Sequence, residues 1–485
     1  MADRKTQVLI IGSGAGGAVT AHTLAGAGFD VTVLEEGARH GVEDYGKNPL
    51  EGMRNLYRKR GMTPILGMVP IGYVEGACVG GSTEINSGFW HRTPPSTLLR
   101  WKAQYDLDAT PEELAPHFTW AENMLGVSTY GRALPKSSEV FAKGIAAMGW
   151  SGQEVPRAAS RCQSTNACAS GCPTGAKPGM SRSVLPQAEQ FGAKVLTRCR
   201  AHLLLKRGSR VSGVLAEITH EDGQREFVRI DADCVIVCAG PTQTPLVLRR
   251  SGIRFHVGAT FQIHPMLKVV ARFPFEIDAH ESVLPLLQVK EFWPDISLGG
   301  AFFSPGHLAM MLSDNWLESR HHMRDIRRMA AYYVAVRGSG RGHVRTPTFG
   351  NQGMCVYELS RNDLQFLAKG LGHLATLLLA AGAEEVHPTV QGLGPIRTQV
   401  EAVRWLDELL PASKLSLTTV HAFSTCPAGE RRDRTALDSF GRVHDFENLY
   451  VNDASMLPDS PGVNPQGSVM ALARRNALRL KETLQ

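Results

Sequence analysis

The sequence predicts a mixed α/β (α+β) fold in which a nucleotide-binding domain, split along the chain, is interrupted by a second domain built on a β-sheet with helices. Three observations predict it. The chain opens with a βαβ pattern, "VLIIGSGAGGAVTAHTLAGAGFDVTVLEEG" at residues 8–37. Strand signals fill its middle, and a strand followed by a helix opener, "LYVNDASMLPDSPGVNPQGSVMALARR", returns at residues 449–475. A length of 485 residues exceeds what one hydrophobic core usually supports, so two or more domains are expected.

Residues 7–11 read as a buried strand, 14–27 as a helix and 30–34 as a second strand. From 96 to 153 the pattern turns helical and polar, as in "TPEELAPHFTWAENMLG", with no strand run between. Strands return at 194–218 and 227–240, and more are expected over 263–310. Residues 360–381 read as a long amphipathic helix and 443–451 as a return to strand. The order of these blocks, rather than any repeat, argues for a discontinuous nucleotide domain around an insertion.

A formal net charge of +6 is small for this length, and the charges are interspersed, so no nucleic-acid partner is expected. One arginine-rich stretch, residues 320–345, reads as a solvated face. No apolar run reaches the ~18 to 20 residues that cross a bilayer, the longest being near "LATLLLAAGA" at 374–383. The first strand starts by Gln7, leaving no room for a secretion signal, so a cytoplasmic location is expected. Nine cysteines, several inside apolar strands such as "DCVIVCAG", argue against a disulfide framework and for small packed side chains.

Gly12, Gly14 and Gly17 have GxGxxG spacing directly after a strand and at the start of a helix, and Glu35 ends the next strand. Glycines there let the backbone approach a pyrophosphate at the helix N-terminus, while the acid accepts hydrogen bonds from ribose hydroxyls. The motif by itself leaves NAD and FAD both open. A second glycine-rich loop, "GACVGGSTEINSGFWHRTP" at 76–94, offers backbone donors. In the C-terminal stretch Asp453 ends a strand, and Asn464 with Pro465 reads as N-cap and first helical residue.

Together with "GCPTGAK" at 171–177, "VIVCAGPTQTPLVLRRSGI" at 235–253, "HAFSTCPAG" at 421–429 and "GVNPQGSVMALA" at 462–473, these segments resemble the glucose-methanol-choline (GMC) family of flavin oxidoreductases. The resemblance implies a Rossmann-like FAD-binding domain formed by residues 1–95, 155–262 and 428–485, with a substrate domain from 96–154 and 263–427. It implies that FAD is held by Gly12, Gly14, Ala15, Gly17 and Glu35, by Gly76, Gly80, Gly81, Ser82 and Asn86, and by Asp453, Ala454 and Pro465. Family members that link FAD covalently do so through a histidine just before the loop Asn; here Ile85 stands there, so non-covalent FAD is expected.

The same resemblance places a catalytic His421 and its partner Asn464 in the oxidation of a small-molecule alcohol, either lipophilic or a sugar hydroxyl. Electrons would then pass to oxygen, a quinone, a cytochrome or another carrier protein. A non-oxidative or photochemical flavoprotein, or an electron-transfer subunit, is the alternative. Ser424 and "CPAG" depart from the Gly and Met-Gly that many members carry after the histidine. Finally, Cys162, Cys168 and Cys172 form a C-x5-C-x3-C array like that of flavin sugar dehydrogenases of the family, which raises an iron–sulfur cluster against plain packed thiols.

Overall fold

A computed structural model describes residues 4–45, 49–346 and 353–485. Two sheets organise it. In the first, the strands Lys194–Leu196, Val31–Leu34, Arg4–Ile11 and Arg225–Val237 lie side by side and parallel. The strand Leu449–Val451 adds to the second half of Arg225–Val237, also in parallel, through Val235, Ile236 and Val237. The first half of that strand continues instead into the antiparallel strands Arg210–Thr219 and Cys199–Arg207.

The apolar runs explain the parallel core. Val8, Leu9 and Ile10 are fully buried, as are Val235 and Val237, because helices cover both faces of such a sheet. The helix Ala15–Ala25 crosses from the first strand to the second, and the C-terminal helix Gln466–Leu484 packs beside it. The buried amide of Asn452 joins the two helices, donating to Thr20 Oγ1 at 2.7 Å and to the Ala473 carbonyl at 3.0 Å. The two ends of the chain therefore build one layer.

The second sheet runs Thr63–Ile65, Ile71–Tyr73, Leu417–Thr419, Met266–Arg272, Met329–Val336, Ile296–Gly300, Leu287–Val289 and Gly152–Glu154, with Glu385–Pro388 also paired to Met266–Arg272. It is antiparallel except where Leu417–Thr419 meets Ile71–Tyr73. The helix Arg361–Ala380 covers it. Ser360 and Asp363 form a reciprocal capping box at its start, and Leu367, Leu371, Leu374 and Leu378 are buried along one stripe.

Three details differ from the sequence expectation. The span 96–153 holds three helices, Pro95–Tyr105, Pro111–Leu125 and Lys136–Met148, but ends in the short strand Gly152–Glu154. Two strands before residue 95, Thr63–Ile65 and Ile71–Tyr73, join the second sheet. The arginine-rich stretch is only partly a surface: Met329–Val336 is a buried central strand, because its apolar "MAAYYVAV" outweighs the flanking charges. No helix among the described residues is long and apolar enough to cross a membrane.

Candidate active site

The glycines of the opening motif have three separate jobs. A methyl group on Gly12, whose φ is +104°, would lie 2.3 Å from the Cys238 carbonyl oxygen, so this position brings the first strand against its neighbour. A methyl on Gly17 would strike the Gly12 carbonyl at 1.9 Å, so the third glycine sets how closely the helix packs. Gly14 faces open space, with nothing within 4 Å of such a methyl. It is the N-terminal cap of the helix Ala15–Ala25, where free N–H groups and the helix dipole favour an anion.

Beside this opening the second loop arrives. Ser13 Oγ donates to Glu35 Oε2 at 2.6 Å and accepts from the Gly80 N–H at 3.0 Å, joining both loops through one hydroxyl. A methyl on Gly81 would come within 3.1 Å of Gly14 Cα. Glu35 also accepts from the N–H groups of Ser13 at 3.0 Å and Gly37 at 2.9 Å. Burial pushes its carboxyl up, and these donors oppose that. Gly76 packs on the Gly81 carbonyl, and its N–H donates to Ser82 Oγ at 3.0 Å, which braces the loop.

Other expected residues serve the frame. Asn86 donates its amide to Gln466 Oε1 at 2.5 Å and accepts from Gly88 N–H, tying the loop to the C-terminal helix. The buried Asp453 carboxylate accepts from Gly240 N–H at 2.7 Å, Thr244 Oγ1 at 2.6 Å and Ser455 N–H at 2.7 Å. It is engaged by protein donors, and the half-buried Ala454 next to it accepts from the Ser424 N–H at 3.1 Å, which ties this turn to the segment that follows His421. Ile85 is buried with Tyr45, Leu56 and Cys78.

His421 and Asn464 come together across 43 residues of sequence, with the Asn464 amide nitrogen 3.1 Å from His421 Nε2. The other ring nitrogen, Nδ1, lies 3.0 Å from Nδ1 of His264, whose Nε2 is 2.8 Å from Ser460 Oγ. With the Asn464 amide donating, the proton order follows: His421 carries its proton on Nδ1 and gives it to His264, which carries its own on Nε2 and gives that to Ser460. The lone pair of His421 Nε2 then faces the Asn464 amide. Burial, reinforced by the positive Lys268, pushes His421 down to about 3, so the ring is neutral at ordinary pH. Asn464 is not the helix cap that the sequence suggests: the cap position of Gln466–Leu484 is Pro465, and no side chain caps it.

A polar network borders this pair. Lys290 Nζ donates to Gln288 Oε1 at 2.8 Å, and the same oxygen lies 3.0 Å from His91 Nε2. Gln288 donates to the Tyr333 hydroxyl at 2.7 Å, and Lys268 Nζ sits 5.2 Å from the centre of that ring. Burial pushes each lysine down to about 8. Burial and then Lys290 push His91 down to about 3. None of His264, Ser460, Gln288, Lys290 or Lys268 is visible as a site residue in the sequence, since each sits in an unremarkable local context.

The three cysteines do not fit an iron–sulfur cluster, which corrects the cluster expectation. The buried Arg157 guanidinium lies between them, with Nη1 3.6 Å from Cys162 Sγ and Nη2 3.4 Å from Cys168 Sγ, and it also donates to the Ser87 carbonyl. Cys172 pairs with Thr174 Oγ1 at 3.4 Å. The space that Arg157, Lys177 and these thiols enclose is about 10 Å³, room for about one water. A cation fills the place a cluster needs.

Known proteins resemble this chain along most of its length. The family model for the N-terminal part of GMC oxidoreductases matches residues 7–266, and that for the C-terminal part matches 341–473. The chain is 37% identical over 474 residues to an uncharacterized GMC-type oxidoreductase of Sinorhizobium fredii, covering 98% of this chain and 94% of that one. It is 27% identical to a long-chain-alcohol oxidase of Arabidopsis thaliana, covering 99% of this chain and 68% of that one. Among solved structures, pyridoxine 4-oxidase from Mesorbium loti matches with a TM-score of 0.70 at 17% identity, over 98% of this chain and 99% of that one. With a family model spanning more than half its length and a relative this similar end to end, the chain belongs to the GMC family of flavin oxidoreductases.

Proposed function

We propose that the protein oxidises an alcohol to the carbonyl with non-covalently bound FAD as hydride acceptor. The residues fit the cofactor: an open, anion-favouring helix N-terminus at Gly14, a second glycine loop against it, and the Glu35 carboxylate beside both. The single observation that carries the reaction is the His421–Asn464 pair, seated on His264 and Ser460. His421 Nε2 takes the hydroxyl proton of the substrate. The resulting imidazolium donates from Nδ1 to His264, and the Asn464 amide donates to the substrate oxygen as its negative charge develops. His264 holds the ring in orientation.

The substrate reading follows from the neighbouring charges. Lys268 and Lys290, joined through Tyr333 and Gln288, favour an alcohol bearing an acidic group over the purely lipophilic or sugar alcohols expected from the sequence. The relationship to a long-chain-alcohol oxidase supports the lipophilic alternative.

Anaerobic bleaching of the flavin absorbance by a panel of hydroxy acids, sugars and long-chain alcohols tests both readings. Fastest reduction by a hydroxy acid supports this substrate class, and reduction by none of the panel removes the alcohol-oxidation reading. His421→Ala is expected to slow reduction about 10²- to 10⁴-fold with FAD retained, as for loss of a positioned base. Readmission of air to the reduced enzyme then distinguishes oxygen from a protein or quinone acceptor.

A further inference from the structure

Outside the His421 cluster, the fold gathers a second set of histidines. Glu385 and His387 are two apart on the strand Glu385–Pro388, so their side chains leave the same face. His322, from the 3₁₀ segment Arg320–Arg328, meets them there. The Nε2 atoms of His387 and His322 lie 3.2 and 3.4 Å from one oxygen, Glu385 Oε2. Ligand atoms of all three residues fall within 4.8 Å of one another. Both imidazoles are buried, at 6% exposure for His322 and 5% for His387. The cluster lines a cavity of about 340 Å³.

Two of the three ligand spacings suit a coordination sphere. Two ligands at ~2.0 to 2.1 Å from a tetrahedral ion stand about 3.3 to 3.4 Å apart, the separation of both imidazole–carboxylate pairs. The surroundings are arranged to match. Arg397 donates from Nε and Nη2 to Glu385 Oε1 at 3.0 and 2.8 Å, which leaves Oε2 to the histidines. His322 Nδ1 is buried without a hydrogen-bond partner and faces Asp325 Oδ2 at 3.6 Å. Asp325 is itself held by Arg272 Nε at 3.2 Å.

His322 thus has a carboxylate at each ring nitrogen. A neutral imidazole must turn a lone pair toward one of them. A cation bound at Nε2 removes the conflict, because Nδ1 then carries the proton toward Asp325 in the usual carboxylate–histidine–metal arrangement.

We propose that His322, Glu385 and His387 bind one divalent transition-metal ion of the zinc class, with a further coordination position open to the adjoining cavity. Two imidazoles and one carboxylate suit a borderline cation such as Zn²⁺ or Co²⁺ and disfavour Mg²⁺ or Ca²⁺, which prefer all-oxygen shells. The ion ties the segment Arg320–Arg328 to the edge of the second sheet.

The test uses the flavin-loaded enzyme, prepared without a histidine tag and dialysed against a chelator. Titration with Co²⁺ is expected to give one tetrahedral cobalt spectrum per chain, at wavelengths beyond flavin absorption, which Zn²⁺ bleaches. The melting temperature is expected to rise with Zn²⁺ and not with Mg²⁺. His387→Ala and Glu385→Gln are each expected to abolish the cobalt spectrum while flavin reduction continues at the wild-type rate. Asp325→Asn should weaken binding about 10- to 100-fold. Substoichiometric cobalt uptake by the wild-type enzyme would overturn the proposal and leave the cluster as two imidazoles packed against one carboxylate. A cobalt spectrum that survives in both His387→Ala and Glu385→Gln would overturn it as well. If His387→Ala does not fold, the wild-type titration and Glu385→Gln still decide.

Discussion

Ser424 adopts φ +66°, a left-handed conformation suited to glycine, and its buried hydroxyl has no hydrogen-bond partner. The strain costs about 1 to 2 kcal/mol, and a freer unfolded chain offsets part of any gain from glycine. Ser424→Gly is therefore expected to stabilise the protein by about 1 kcal/mol in urea unfolding; a loss of stability would mean that the hydroxyl has a partner in solution. At His421 the sign of the pH effect is set by burial. Its folded value near 3 keeps the base form populated throughout the neutral range. The rate of flavin reduction is expected to run flat through pH 6.5, the ordinary histidine value, and a descending acid limb there would contradict the assignment. Lys268 and Lys290, near 8, lose their charge in mildly alkaline solution. Affinity for an acidic alcohol should accordingly fall above about pH 8, with little change for a neutral one.

At the scale of the element, the helix Ala15–Ala25 separates a binding glycine from a packing one. Gly14→Ala adds a methyl into open space at an ordinary φ of −67°, so the fold should persist while FAD affinity falls. Gly17→Ala drives a methyl to 1.9 Å from a backbone oxygen and should destabilise the whole first layer. Flavin content measured beside urea midpoints distinguishes the two, and equal loss of stability in both variants would remove Gly14 from the cofactor site. The C-terminal helix makes a parallel case. Asn464 faces His421 and does not cap Gln466–Leu484, so Asn464→Ala should slow flavin reduction without the ~1 kcal/mol cost of a lost cap.

Across the whole molecule, the buried neutral histidines make stability depend on acid. Burial holds His91 and His421 near 3 and His264 well below its usual range. Between those values and about 6.5 the unfolded chain binds protons that the folded chain does not. Each such group removes up to about 1.4 kcal/mol of stability per pH unit as pH falls below 6.5. The urea midpoint is expected to drop between pH 7 and pH 5; an unchanged midpoint would show that these rings are charged in the folded state.

The βαβ opening, its glycine spacing and the acid at Glu35 were legible in the sequence because each acts over a few residues: strand, turn and helix N-terminus are neighbours along the chain. The same holds for the segments flanking His421 and Asn464. Only the tertiary structure decided what stands between those segments. His264 lies 157 residues from His421 and Ser460 lies 196 from His264, so the proton chain exists only once two sheets and the chain's end are assembled. The cysteine array shows the converse. Its spacing was plain in the sequence, but whether three thiols surround a cluster or a guanidinium depends on where Arg157 is buried, and the folded chain puts the cation there. His322, Glu385 and His387 follow the same rule: the Glu–x–His alternation is local, while the third imidazole arrives from another element because the sheet and the 3₁₀ segment pack together.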